Sequence, residues 1–307
     1  MRAAAIFGLG CSSKNLLPFQ TDNSIEWHIG MPASQEQADV ILLFGGDGTI
    51  HRHLGQLVQL GLPVLIVPVG SGNDFARAIG LRTMRDSIEA WRRFCLGAGT
   101  VRAVDLGVVA PLEDAGRALT AQAAPLANPA QESRYFCCVA GVGLDAEIAE
   151  RANRLPRWLR GHGGYALSLL PAVLGFRPFP LKIQSANERD SAPETWTVRS
   201  HQPTVLAAFA NTPFYGGGMK IAPLALMDDG LLDICVVGAV NPIKLLCMFP
   251  SVYAGRHLQI NQVGYFQAEK VWVETEHPTK IYADGEFVCH TPAEISLRRA
   301  ALRIVTT

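Results

Sequence analysis

Two short stretches hold residues whose types and spacing suit phosphate chemistry. In the first, Gly45-Gly46-Asp47-Gly48-Thr49 follows the apolar run Val40–Phe44 and precedes an amphipathic run from Ile50 to Leu60. Glycines let a backbone turn sharply and approach a bulky anion without a side chain in the way. A helix start beyond them offers unpaired N–H groups and the positive end of its dipole. Asp47 is the odd member, because a carboxylate repels phosphate unless a metal ion or a proton lies between them. The group therefore points to magnesium-assisted phosphoryl transfer; a tight turn with Asp47 as a helix cap is the alternative. In the second stretch, Leu62–Val69 leads into Gly70-Ser71-Gly72-Asn73-Asp74 and a helix from Phe75 to Ile79. Asn73 can donate to a phosphate or ribose oxygen, and Asp74 can bind an adenosine hydroxyl or help hold a cation. Both can also simply cap the helix. Two such turns at neighbouring strand ends would face one crevice.

The elements that must position these turns alternate. Ala3–Phe7, Val40–Phe44 and Leu62–Val69 read as strands, with helices from Ile50, from Asp74 and over Ser87–Leu96. Continuous Val/Ile/Leu strands separated by helices predict a parallel sheet covered on both faces, with ligands beyond the carboxyl ends of its strands. From about Val101 the pattern changes to short strands: Val101–Val109, Tyr135–Val139, Pro180–Ser185, Thr195–Arg199, Thr204–Ala210, Leu231–Val237, Lys270–Glu274, Lys280–Ala283 and Glu294–Val305. Such a series predicts an antiparallel sandwich or barrel. Pro111–Ser133, rich in Ala, Pro and Gln without periodicity, reads as a long surface loop. The expected fold is an α/β domain over residues 1–105 followed by an all-β sandwich over 106–297.

Composition narrows the function classes. Basic and acidic side chains balance at 27 each, so no global positive charge points to nucleic acid. Seven cysteines lie scattered without CxxC spacing, which argues against a zinc site or a disulfide framework and fits a reducing cytoplasm. The apolar part of MRAAAIFGLG is short for a secretory signal and reads as a first strand. The longest apolar stretch, Tyr165–Phe176, holds Pro171 and falls short of the roughly 20 residues that span a bilayer.

The GGDGT of Gly45–Thr49 with GSGNDFAR at Gly70–Arg77 resembles the catalytic domain of the diacylglycerol kinase family, which includes bacterial lipid kinases and the sphingosine and ceramide kinases. Asn211-Thr212-Pro213-Phe214-Tyr215-Gly216-Gly217-Gly218-Met219, Ala222-Pro223 and Asp228-Asp229-Gly230-Leu231-Leu232-Asp233 are similar to a second block, and Asp284-Gly285-Glu286 to a third. The resemblance implies a nucleotide-binding α/β domain of the kind shared with NAD kinases and phosphofructokinases, then a β-sandwich, with the last residues (about 298–307) returning to the first domain. It also departs from the family at one place. Gly8-Leu9-Gly10-Cys11-Ser12-Ser13-Lys14 stands where members carry an Asn-Pro-x-Ser/Ala-Gly phosphate loop. Either Lys14 or Ser12 replaces that loop at a phosphate, or the edge is trimmed and nucleotide affinity weakened.

The activity implied by the resemblance is transfer of ATP's terminal phosphate, with Mg2+, to a lipid hydroxyl, diacylglycerol or a sphingoid/ceramide-type lipid. Asp47 is then the first candidate for an essential carboxylate, as base or as a magnesium contact through water. Asp74, Asp284 and Glu286 are its companions at nucleotide and metal, and Asp105 matches an acidic position near the lipid alcohol. Asp284-Gly285 also suits a plain hairpin turn. By the same resemblance Asp229, with the carbonyls of Leu226 and Leu231, would hold a structural magnesium; a polar turn is the other reading. Arg151, Arg154, Arg157 and Arg160 recur every three residues around Leu155, Trp158 and Leu159. That run suits an anionic membrane surface, in keeping with a cytoplasmic enzyme that touches the bilayer during turnover. A solvated helix with acid-paired arginines is the competing account. A homodimer is compatible with the resemblance. His51 and His53 are expected on the helix after GGDGT without catalytic duty. An NAD kinase-like phosphotransferase is the alternative within phosphoryl transfer, though NAD kinases follow their GGDGT with Asn-Glu where this chain has Asn73-Asp74. A non-catalytic nucleotide- or lipid-binding protein is the alternative outside it.

Overall fold

The computed structural model describes residues 1–112, 134–154, 164–186 and 196–307. The first part comprises β1 (Arg2–Phe7), β2 (Glu26–Ile29), β3 (Val40–Gly45), α1 (Asp47–Leu60), β4 (Pro63–Pro68), α2 (Asp74–Ala78) and α3 (Met84–Cys95). There follow β5 (Thr100–Pro111), β6 (Arg134–Phe136), β7 (Val139–Gly143), α4 (Leu144–Arg154), α5 (Gly164–Gly175), β8 (Phe179–Ala186), β9 (Thr197–Ala210) and β10 (Leu232–Gly238). The chain closes with α6 (Pro242–Tyr253), β11 (Val263–Ala268), β12 (Lys270–Thr275), β13 (Lys280–Ala283), β14 (Glu286–His290) and β15 (Ala293–Thr306).

Strands β2-β1-β3-β4 pair in parallel in that order. All six residues of β3 are buried, because helices cover both faces of the sheet and no alternation is needed. In α1, Ile50, Leu54, Leu57 and Leu60 are buried at helical spacing. The helix stops at Gly61, whose left-handed backbone (φ 60°) lets its N–H bond to Leu57 O. The second part is antiparallel, and its core is a separate apolar cluster that includes Val142, Leu181, Ile183, Phe209, Ile234 and Val271. In β8 and β12 buried and half-buried residues alternate in the period-2 manner of a sheet with one face inward.

Strands β5 and β15 join the two parts. Ala293–Ser296 of β15 pair with β12, Arg303 and Ile304 pair in parallel with β4, and β5 runs antiparallel alongside almost its whole length. The register shifts between Arg298 and Leu302, where Ala300 takes φ 49°. Such a bulge bends the strand and lets it pass from one sheet to the other. Position 105 lies inside β5, within this shared ladder.

Several elements differ from the sequence reading. Tyr135–Val139 is two strands, broken at Cys137-Cys138, whose N–H groups bond to Asp284 rather than to a neighbouring strand. Thr195–Arg199 and Thr204–Ala210 meet in the single strand β9, which pairs with β8 over its first half and with β7 and β10 over its second. α1 begins at Asp47, inside the glycine stretch, rather than at Ile50. Strands β2, β11 and β14 and helices α5 and α6 carry no strong pattern of their own and were not anticipated. Most of the expected Pro111–Ser133 loop, with Arg157 and Arg160, lies outside the described residues. No helix among the described residues is long and apolar enough to cross a membrane.

Candidate active site

The two glycine turns meet backbone to backbone. A Cβ built on Gly70 would lie 2.5 Å from the Gly46 Cα, and one on Gly46 would lie 3.0 Å from the Gly70 Cα. This contact leaves no room for a side chain at Gly70 and little at Gly46, which explains the glycines without recourse to unusual dihedrals. Around Gly48 no atom lies within contact distance, so the open side of the turn faces free space. Gly8, after β1, closes on the same point: its N–H donates to Phe44 O at 2.7 Å, and a Cβ there would collide with Thr49 Oγ1. Three strand ends thus converge at the start of α1. Ser71 is exposed, whereas Asn73 is turned onto its own loop. Its Oδ1 accepts from Gly70 N–H and its Nδ2 donates to Gly70 O, and it holds φ 53°. Ser12 and Lys14 are exposed, and the Ser12 N–H donates to Asn15 Oδ1 in a short helical turn of their own.

Carboxylates crowd behind the turns. Asp47 Oδ2 accepts from Asp74 N–H at 2.9 Å and Oδ1 from Phe75 N–H at 3.0 Å, so Asp47 caps α2 instead of its own helix. Asp74 in turn accepts from Gly217 N–H at 2.7 Å and pairs with Arg77, whose guanidinium lies over the Phe214 ring. Burial raises the Asp47 carboxyl above its usual range, and the Asp284 charge adds to this against the two backbone donors. Burial and the Asp47 charge push Asp74 up to about 6. Mutual repulsion of this kind is what a divalent cation relieves.

Asp284 completes the group from the sandwich side. With Gly285 it forms the two-residue turn between β13 and β14, both residues at positive φ. The hairpin reading and an inward carboxylate therefore hold together. Asp284 accepts from Cys137 N–H and Cys138 N–H at 2.8 Å each, and from His51 Nδ1 at 3.1 Å. Burial opposes its charge, yet the His51 interaction and the backbone donors hold it below the usual carboxylate range. His51 is correspondingly raised, burial notwithstanding, by Asp284 and by the nearby Glu286 charge. Glu286 itself is exposed. The thiols of Cys137 and Cys138 lie within 4.8 Å of an Asp284 oxygen, the one side-chain cluster of metal-ligand type among the described residues. Burial pushes Cys138 up to about 12 and Cys137 well above its ordinary value. Both remain protonated donors, which fits a hydrogen-bonded cluster better than a metal held by thiolates.

Asp105 is placed elsewhere. Its oxygens accept from Gly230 N–H at 2.9 Å and Ala300 N–H at 2.7 Å, and its carbonyl takes a bond from Asn211 Nδ2. It fastens the 228–230 turn to the β15 bulge, and among the described residues it makes no hydrogen bond with the Asp47, Asp74 and Asp284 group. Asp229 is half-buried, with Oδ1 accepting from Leu231 N–H at 3.0 Å, and Leu226 is exposed. Burial and the charges of Asp105 and Asp228 raise the Asp229 carboxyl. On α4, Arg151 pairs with Glu147 and Arg154 with Glu150, the arrangement of a solvated helix.

Two features escaped the sequence reading. His51 was assigned no part, yet it ties α1 to the sandwich through Asp284; only the resemblance of the Asp-Gly-Glu turn hinted at a partner there. An apolar cavity of about 50 Å³ is lined by Tyr215 and Met219, by Val173 of α5 and by the inner face of α6. It lies behind the same 213–219 segment whose Gly217 meets Asp74, and its lining is dispersed over the chain.

Comparison with known proteins agrees with this geometry. The diacylglycerol kinase catalytic domain model matches residues 21–109, and the YegS C-terminal NAD kinase beta sandwich-like domain matches residues 138–306. A diacylglycerol kinase of Mycobacterium tuberculosis (strain ATCC 25618 / H37Rv) is 32% identical over 278 residues, covering 91% of this chain and 80% of that protein. Among solved structures, a diacylglycerol kinase from Bacillus anthracis str. Sterne superposes with a TM-score of 0.61 at 19% identity, over 100% of this chain and 97% of the other. An NAD kinase from Archaeoglobus fulgidus in complex with ATP gives 0.52 at 14% identity, over 100% and 93%. These two likenesses concern the fold, an NAD kinase-like α/β domain followed by a β-sandwich. With glycine turns in contact, carboxylates gathered behind them and both domain models matched in order, the chain belongs to the diacylglycerol kinase catalytic-domain family, in the branch that carries a YegS-type sandwich.

Proposed function

We propose that the protein transfers the terminal phosphoryl group of ATP to a lipid hydroxyl in the cleft between the glycine turns and the sandwich. The observation that carries this reading is the backbone contact of Gly46 with Gly70 directly beside the paired acids Asp47 and Asp74. A polyphosphate chain needs close backbone approach and N–H donors; Gly46, Gly48, Gly70 and Gly72 keep side chains out of the way, and the start of α1 faces the same place. The raised Asp47 and Asp74 suit a magnesium ion, which would supply charge neutralisation to the phosphates. Asp47 also positions α2, and Arg77 and Asp74 hold the 213–219 segment against it.

In the transfer, the bond between the γ-phosphorus and the β–γ bridging oxygen breaks as one forms to the lipid oxygen, leaving ADP. Such transition states are loose, so little is asked of a base and the hydroxyl proton leaves late. Glu286 is exposed, feels the His51 side of the cleft and forms no side-chain hydrogen bond among the described residues, so it is the carboxylate suited to receive that proton. The apolar cavity behind Tyr215 and Met219 supports a lipid acceptor over a nucleotide one. Met219 and Met248 in its wall are side chains that adapt readily to the shape of an apolar chain.

Purified protein incubated with labelled ATP and magnesium should phosphorylate a lipid alcohol in mixed micelles and leave NAD unlabelled. Labelling of NAD in preference to every lipid supplied would replace this reading with the NAD kinase one, and binding of ATP without any transfer would replace it with a non-catalytic one.

A further inference from the structure

The second glycine turn and the wall of the apolar cavity meet at Arg77. On the turn side its guanidinium pairs with Asp74, and Nη2 lies 3.5 Å from Gly72 O. Gly72 in turn closes on Asp47, since a Cβ there would lie 3.0 Å from Asp47 Oδ2. On the cavity side the guanidinium lies over the Phe214 ring, 5.7 Å from its centroid. Tyr215 and Met219 exchange two backbone hydrogen bonds of 3.0 Å, which close Gly216-Gly217-Gly218 into a tight loop. All three glycines hold positive φ, and a Cβ on Gly218 would lie 3.0 Å from Arg77 Nη1. The loop thus runs close against the guanidinium, while Tyr215 and Met219 at its base line the cavity.

A phosphoryl group passing from the glycine turns to a lipid in the cavity crosses the boundary where Arg77 stands. A guanidinium carries five N–H donors and is always charged. Asp74 and Gly72 O take two of these donors, and the side chain remains 32% exposed. Resting on the kinase reading above, we propose that Arg77 donates hydrogen bonds to the terminal phosphate of ATP and keeps them through the transfer. It is then a catalytic residue and not only a strap between the turn and the loop. Arg77 forms no covalent bond and gives up no proton; it stabilises the charge spread over the phosphoryl oxygens in the loose transition state. The pairing with Asp74 fixes the direction of the planar guanidinium, which a flexible ammonium would not share.

The first arm of the test compares nucleotides without turnover. Calorimetry with magnesium should show the unaltered protein binding β,γ-methylene-ATP about tenfold tighter than ADP, or more, the size of a charge-assisted hydrogen bond. In Arg77→Met that ratio should shrink at least about fivefold, through loss on the ATP analogue alone. Arg77→Lys keeps the charge without the planar fork and should retain part of the ratio. In single-turnover transfer to a lipid at saturating ATP, Arg77→Met should be slower by at least about a hundredfold. A residue that served only as a strap would weaken both nucleotides alike. Thermal melting shows whether each variant is folded, and Arg77→Gln takes the place of methionine where that is not tolerated. Equal binding of both nucleotides by the unaltered protein, or a ratio unchanged in the folded neutral variant, overturns the assignment and leaves the kinase standing. Failure of the unaltered protein to phosphorylate any lipid supplied refutes the kinase reading and with it the catalytic role of Arg77, even where the nucleotide ratio holds.

Discussion

Asp105, inside the β5–β15 ladder, and the acids behind the glycine turns are held in different ways. Asp105 is buried and its oxygens meet the N–H groups of Gly230 and Ala300, in a place where two loops must be tied to one strand. Asp47 and Asp74 also accept backbone N–H bonds, but they lie against each other, within reach of the Asp284 charge, and beside glycines that keep a space open. Burial of a carboxylate therefore does not separate a fastener from a functional group. What separates them is whether the site opens to a ligand, as it does beside the glycines next to Asp47 and Asp74.

The comparison can be broken most sharply at Asp47. Asp47→Ala should reduce phosphate transfer by roughly a thousandfold or more, since it removes both a magnesium-side carboxylate and the cap that orients α2. Single-turnover assays at saturating ATP measure this, and retention of transfer would move the chemistry elsewhere. Asp105→Asn should act on stability instead, costing about 1–3 kcal/mol because one buried N–H loses its acceptor. Denaturant unfolding should register that loss while kcat stays within about tenfold; a collapse of kcat with unchanged stability would put Asp105 back among the catalytic acids.

A third expectation concerns sign. The folded pKa of Asp74, about 6, stands above its ordinary 3.8. The folded state thus holds this proton more tightly than the unfolded chain, and stability from this group falls as pH rises from 3.8 to 6. Asp74→Asn should raise the unfolding free energy at pH 8 by on the order of 1 kcal/mol once the lost Arg77 pairing is offset, seen as a higher melting temperature, and should bring no gain near pH 4. The smallest effect belongs to His51, whose folded pKa is raised by Asp284. Its contribution is fully present below the ordinary value of 6.5 and is lost as pH rises through the folded pKa. His51→Gln should therefore lower stability more at pH 6 than at pH 9, by about 0.5–1 kcal/mol. A pH-independent difference would mean that the ring acts by packing alone.

Much of the fold was legible because its signals are local. The strands Val40–Phe44 and Lys280–Ala283 announce themselves by composition, and the glycines of 45–48 and 70–72 mark turns. The unread elements lack such signals. Strand β2 is short and largely exposed, β9 runs through Pro203 without breaking, and α6 carries Pro250 within an apolar run. His51 looked like an ordinary helix residue because its partner is 233 positions away. Asp105 was placed near the lipid alcohol by resemblance; its acceptor duty toward Gly230 and Ala300 was not legible, because it depends on a bulge that no single residue type marks.

From its own letters the chain determines a parallel sheet with two glycine-rich strand ends and an antiparallel partner domain, since periodicity and backbone permissiveness act over a few residues; its motifs carry the resemblance to a lipid kinase family. Tertiary structure alone decides which acids crowd together and which are consumed by backbone donors. It also decides that Asp47 caps a helix other than its own. Charge and hydrogen bonding act through space, and the pairs that matter here are separated by tens to hundreds of residues.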